Sequence, residues 1–341
     1  MLKQVVASKK SLYWAVAVLA CAGSFGFGWF LDKAMTVGTT APPNPLRLTG
    51  YQYISPLITC NFGQVKMFSE NQPIVKDLNA VVSQHEQAGD ITNASVYFND
   101  LTSGQWASVN SKDKYYPASL GKVPIMIAYY EMAESSSSLL EEEGSYPTGL
   151  PDLNLQQEIP PTNAITPGQN YTVEQLIEYM IKYSDNDAAA TLTAMADQDN
   201  IASVYSDLQL PLTDNVTATT SDIMTVGQYA TLFKTLYNAT YLSRDFSERA
   251  LQLMTETTFT QGLVAGVPSS TAVSHKYGLV SYTSNGVPEQ WELHDCGIVY
   301  APGHPYLLCV MTKGTTSIAA QEKTIADISS VAYKDVENGY Q

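Results

Sequence analysis

Patterns that read as β-strands are confined to the two ends of the globular part of this 341-residue chain, and this placement limits the folds open to it. Near the start, alternating runs at 94–98 and 105–109 are joined by Asn99-Asp100-Leu101-Thr102-Ser103-Gly104, a hairpin signal. Near the end, strand patterns crowd 271–280, 291–294, 297–301 and 306–312, with Pro302-Gly303 turning the last two into a second hairpin. Helical periodicity fills the interval. Ile74, Leu78, Val81 and Val82 mark one apolar stripe. Thr172 with Gln175 predicts a capping box ahead of Leu176, Ile177, Met180 and Ile181, and 188–196 is helical again. Ser221 is expected to cap a helix carrying Met224, Tyr229, Leu232, Phe233 and Leu236. A further helix is expected at 248–254, and the chain closes on one whose Ile325, Ile328 and Val331 face inward. Residues 135–170, rich in Ser, Glu and Pro, read as a long surface excursion. The expected class is α+β: an antiparallel sheet built from both chain ends and flanked by helices.

Residues 12–31 form an uninterrupted apolar run of twenty, long enough to span a bilayer as a helix. Lys3, Lys9 and Lys10 precede it, which places the N-terminus in the cytoplasm and the rest outside. The expected organisation is a cytoplasmic tail and transmembrane signal-anchor at 1–33, a Pro-rich spacer at 34–50 and one globular domain at 51–341. Val18-Leu19-Ala20-Cys21 also has the form of a lipoprotein cleavage box, leaving lipidation at Cys21 open, although the apolar run continues for ten residues beyond it. The formal net charge is −15, with no basic cluster past the first ten residues, which argues against a nucleic-acid partner. The four cysteines and four histidines show no metal-ligand spacing, so neither a metal nor another cofactor is expected. Cys296 and Cys309 fall on facing hairpin arms about one residue out of register, and Cys60 has no obvious partner. A monomer is expected.

The chemistry concentrates around Tyr116-Pro117-Ala118-Ser119-Leu120-Gly121-Lys122-Val123-Pro124, a loop running into a helix. Three residues apart, Ser119 and Lys122 share one helical face. A serine hydroxyl attacks only when a base removes its proton, and a lysine serves if burial or a nearby cation lowers its pKa. Alone, the pair has a bland reading as a helix-capping serine and a solvated lysine. Two further motifs follow in order: Ser184-Asp185-Asn186, and Lys276-Tyr277-Gly278 on a strand.

The three motifs together resemble the penicillin-recognising serine hydrolases, specifically the class A β-lactamase-like family, over roughly residues 70–335. The resemblance implies the β-lactamase/transpeptidase-like fold and a set of roles. Ser119 would be the acylated nucleophile, Lys122 its proton acceptor and Ser184 a proton relay to the leaving nitrogen. Asn186 would hold the substrate's amide side chain. Lys276, facing the cleft with Tyr277 and Gly278, would bind the substrate carboxylate and lower the pKa of Lys122. Backbone N–H groups of Ser119 and Leu279 would form the oxyanion hole.

Two departures stand out. Tyr277 replaces the family's usual Thr or Ser. No glutamate occurs between Asp187 and Ser247, where class A enzymes carry the residue that activates the deacylating water. Thr217–Ser221, which resembles a Thr-rich landmark of the family, arrives early. Between Asp187 and that landmark only Asp197, Asp199, Asp207 and Asp214 offer carboxylates, with Asp207 and Asp214 nearest the landmark. His275 is expected to point away from the cleft, and His294-Asp295 to be a packing or hydrogen-bonding pair. The implied function is a membrane-anchored serine hydrolase acylated by β-lactam-like or D-alanyl substrates and slow to deacylate. The alternatives are a D-Ala-D-Ala peptidase or transpeptidase, and a non-catalytic surface binding domain.

Overall fold

A computed structural model describes residues 49–56, 69–211, 222–284 and 287–339. Helix α1 (Gln72–Ala88) leads into β1 (Asn93–Asp100) and β2 (Trp106–Val109). The two-residue β3 (Lys114–Tyr115) precedes a 3-10 turn (Ala118–Gly121) that runs into α2 (Lys122–Ser135). An excursion carrying β4 (Glu143–Gly144) and β5 (Tyr171–Thr172) comes next, then α3 (Val173–Lys182), α4 (Asn186–Met195) and α5 (Gln198–Asp207). After β6 (Met224–Thr225) come α6 (Val226–Tyr237) and α7 (Arg244–Thr255). The order closes with β7 (Val273–Ser284), β8 (Val287–Val299), β9 (Tyr306–Gly314) and α8 (Ile318–Glu337).

The expected joining of the chain ends is what the backbone does. One antiparallel sheet runs β2-β1-β9-β8-β7, so β9 inserts beside β1 and stitches the C-terminal hairpin to the N-terminal one. Its central strands are buried on nearly every residue, which requires helices on both faces. On one face Ile74, Leu78, Val81 and Val82 of α1 share a core with Ile325, Ile328 and Ala332 of α8 and with Val96, Phe98, Leu308 and Val310 of the sheet. On the other lie α6 and the nucleophile segment. α2 is buried all round, from Val123 through Tyr130 and Ala133, as an apolar helix without a polar face must be.

Four expectations need correction. Residues 291–294 and 297–301 belong to one continuous strand, β8, because Asp295 and Cys296 between them are fully buried and paired. Cys296 and Cys309 are direct register partners and form a disulfide, with Cα atoms 3.9 Å apart. The six residues between Val299 and Tyr306 centre on Pro302-Gly303, leaving equal arms. The helix expected from Ser221 starts at Val226, capped by Thr225 in a capping box with Gln228, since β6 must first pair with β3. Ser221 itself lies outside the described residues. Finally, the 135–170 excursion is not a mere surface loop: it carries the buried Asn154 into the site. The Thr172–Gln175 capping box is present as expected.

Residues 12–31, Cys21, Cys60, Asp214 and most of the spacer lie outside the described residues. Among the described residues no helix is long and apolar enough to cross a membrane. The described residues 51–54 are tied to α7. The Glu248 carboxylate accepts the N–H groups of Gln52, Tyr53 and Ile54, and Tyr51 donates to Asp245 at 2.7 Å.

Candidate active site

Ser119 sits in the 3-10 turn ahead of α2, where the first N–H groups lack intrahelical acceptors. Ala118 is held at φ 49°, a left-handed conformation that costs a non-glycine residue about 1–3 kcal/mol and is retained only where the surroundings enforce it. The enforcement is visible two residues upstream. Tyr116 N–H donates to the buried Glu292 carboxylate at 3.0 Å, and the Tyr116 carbonyl lies 3.0 Å from His294 Nε2. Burial pushes the His294 imidazole down to about 4, so it is neutral and donates through Nε2.

Lys122 is buried, and its ammonium group makes three bonds: to the Ser184 carbonyl at 2.6 Å, Ser184 Oγ at 3.1 Å and Asn186 Oδ1 at 2.7 Å. Three donors meet three acceptors. Burial pushes its pKa down to about 7, with the Asp185 carboxylate opposing. The expected cause, repulsion by Lys276, instead falls on Lys276 itself, which is depressed by its own burial and then by Lys122.

Ser184 joins α3 to α4 at φ 60°, the left-handed conformation that turns its hydroxyl between the two lysines. Asp185 enforces that turn. Its fully buried carboxylate accepts the N–H groups of Asp187 and Ala188 as the cap of α4 and, from the excursion, Asn154 Nδ2 at 2.9 Å and Ile165 N–H at 2.7 Å. Asn154 Oδ1 in turn accepts Asn186 N–H at 2.7 Å. Gln157 Nε2 donates to the same Asn154 Oδ1 at 2.9 Å and to the Ser184 carbonyl at 3.3 Å. Neither Asn154 nor Gln157 belongs to a motif, so the sequence does not mark them. The only local hint was an amide-rich stretch among prolines.

On β7, Gly278 allows the strand to approach the nucleophile segment: a Cβ there would lie 2.8 Å from the Pro117 carbonyl. Its place is therefore in packing against that segment rather than on the cleft surface. Leu279 lines the cleft beside Ser119. Lys276, expected to face the cleft, is fully buried and donates to Ser184 Oγ and to the Tyr277 carbonyl, both at 3.0 Å. Its neighbour His275 points away and pairs with Asp295 at 2.8 Å. His294 and Asp295 thus serve opposite faces of β8 and are not partners of each other.

Two cavities open at Ser119. One, of about 330 Å³, is lined by Tyr116, Asn186, Tyr277, Leu279 and the excursion residues Gln156–Ile159. The other, of about 740 Å³, includes Lys122 and runs along Asp199, Ile201, Tyr205 and Ile223. The aspartate on its wall is Asp199. Asp207 instead accepts from Tyr241 at 3.2 Å and lines neither cavity. The glutamate that reaches the cleft, Glu158, precedes the second motif and so lies outside the interval from Asp187 to Ser247. A half-buried serine at the cavity wall, a buried lysine of near-neutral pKa, a second hydroxyl bridging two lysines and backbone N–H groups at a turn form a set suited to acyl transfer.

A family model described as the β-lactamase enzyme family matches residues 73–336. The chain belongs to that family. Its solved structural relatives include the acyl-enzyme complex of a PBP-A point mutant with penicillin G, with a TM-score of 0.64, 19% identity, 80% of this chain and 100% of that chain covered. A β-lactamase from Sphaerobacter thermophilus superimposes with a TM-score of 0.64 at 19% identity, covering 77% and 98%. A class A β-lactamase from Mycobacterium abscessus gives 0.62 at 20% identity, covering 77% and 99%. At these identities the likeness is one of fold. No curated protein matches the chain. In this β-lactamase-family chain position 277 is aromatic and Lys276 lines neither cavity.

Proposed function

We propose that this protein is a serine hydrolase of the class A β-lactamase type, acylated at Ser119 by β-lactam-like or D-alanyl compounds and slow to deacylate. The observation carrying this is Lys122: buried, bonded to Ser184 and Asn186, and lowered to about 7. Near neutral pH a fraction of it is uncharged, and a neutral amine keeps two N–H donors and gains a lone pair. Ser119 Oγ attacks the substrate carbonyl while its proton passes to Lys122. The tetrahedral oxyanion is held by the N–H groups of Ser119 and Leu279. As the C–N bond breaks, Ser184 Oγ gives its proton to the leaving nitrogen and takes in its place the proton that Lys122, 3.1 Å away, received from Ser119; Lys276 lies 3.0 Å from the same oxygen. Lys276 acts by orienting Ser184, and Asn186 by facing the substrate's amide.

Deacylation needs a second, positioned base for water, an effect worth roughly 10²–10⁴ in rate. Among the described residues no carboxylate bonds to Ser119, Lys122 or Asn186. Asp199 and Glu158 are both solvent-exposed cavity walls. Stopped-flow turnover of a chromogenic β-lactam should show a burst of one equivalent per Ser119 and then slow release. Turnover without a burst would refute slow deacylation.

Residues 12–31 are proposed as an uncleaved membrane anchor holding the domain outside the cytoplasm, on the strength of their apolar length and the preceding lysines. Full-length protein should fractionate with membranes. Recovery in the soluble cytoplasmic fraction would overturn this. A monomer is proposed, because the three motifs that supply the catalytic residues all belong to one domain.

A further inference from the structure

Lys276 is the residue that resemblance assigns to a substrate carboxylate, yet its ammonium group is enclosed. It is fully buried and lines neither cavity. Ser184 Oγ and the Tyr277 carbonyl each take one bond at 3.0 Å, and the Tyr277 ring lies over the nitrogen with its centroid 4.2 Å away. That ring is itself anchored: it stacks on the buried Phe259 with centroids 4.3 Å apart and planes at 22°. A cation over an aromatic face is already partly satisfied, so nothing draws the ring aside.

The space in front of the ring has no compensating charge. Among the described residues lining the 330 Å³ cavity there is no lysine, arginine or histidine, and Glu158 is its only carboxylate. The described arginines, Arg244 and Arg249, belong to α7, where Arg249 pairs with Glu174 at 2.6 Å. A substrate carboxylate placed here would lose water without gaining a cation, and would face Glu158.

Resting on the reading of Ser119 as the acylated residue and narrowing its substrates, we propose that Tyr277 is the specificity-determining residue of this site and selects, among β-lactam-like and D-alanyl compounds, those whose carboxylate on the side facing β7 is esterified, amidated or absent. The phenol ring occupies the approach to Lys276 and offers a neutral, stacking surface in its place. Lys276 keeps its part in positioning Ser184.

The test compares the second-order rate of Ser119 acylation by benzylpenicillin with that by its neutral methyl ester. The wild type should react with the ester at least as fast as with the acid. Tyr277→Thr, which uncovers Lys276, should shift the ratio towards the acid by about tenfold or more, the size of one charge-assisted contact. Tyr277→Phe, which keeps the ring and its stack, should leave the wild-type ratio in place. A wild type favouring the acid by about tenfold overturns the inference while leaving Ser119 as nucleophile, whether or not the Thr variant folds. An unchanged ratio in a folded Tyr277→Thr overturns it equally. If neither compound acylates the wild type, the reading of Ser119 falls and takes the inference with it.

Discussion

Lys122 holds its ammonium group among three acceptors in a site that disfavours charge, and both facts have measurable consequences. Its pKa, lowered to about 7, makes the neutral base more abundant as pH rises, so the acylation rate should climb through pH 7 and level off above it. Lys122→Gln should flatten that limb and slow acylation by roughly 10²–10⁴. The same group shapes stability. Below about pH 7 the amine is charged in both folded and unfolded chains, and the folded state bears the full desolvation penalty. Between about 7 and the ordinary lysine value of 10.5 the unfolded chain binds the extra proton, so stability rises with pH. Thermal unfolding from pH 7 to 9 should therefore show wild type gaining on Lys122→Gln by up to about 1.4 kcal/mol per pH unit. Equal pH slopes would contradict the burial of an ionisable Lys122. The sequence placed Ser119 beside Lys122 by spacing alone. It could not show that the lysine's donors go to Ser184 and Asn186, because those contacts join residues more than sixty positions apart.

At the scale of elements, the turn between α3 and α4 depends on the excursion that precedes it. Asn154→Ala removes the acceptor of the partly buried Asn186 N–H and a donor to the buried Asp185, and should cost about 1–3 kcal/mol and slow acylation. Thr172→Ala deletes a helix cap on the same excursion's far end and should cost about 1 kcal/mol while leaving acylation alone. Equal effects on acylation would mean that the excursion acts only through stability. Elements with strong local signals were legible in sequence: the apolar stripe of α1, the Thr172 capping box and the hairpin of β1 and β2. The excursion was not, because its order comes from bonds to distant backbone rather than from any period. The start of α6 was misplaced for a related reason: pairing between β3 and β6 overrides a local serine cap.

At the scale of the whole molecule, β9 between β1 and β8 closes a sheet whose halves lie about two hundred residues apart in sequence, and the cleft forms where β7 meets the start of α2. That joining was legible from the placement of strand patterns at the two ends. The register that pairs Cys296 with Cys309 was not, since a one-residue error in a turn is enough to hide it. Replacing both cysteines with alanine should lower stability by about 2–4 kcal/mol without moving the ratio of acid to ester acylation. The role of Lys276 was also hidden. Its strand and motif were read, but the ring that covers it is supported by Phe259, which no motif marks. The central claim is that this fold presents Ser119 as an acylated nucleophile, and intact-protein mass spectrometry after incubation with a penicillin tests it most directly. The account predicts a lasting mass increase of one penicillin on the peptide containing Ser119, absent from Ser119→Ala. No adduct on the wild type, or the same adduct on Ser119→Ala, would contradict it.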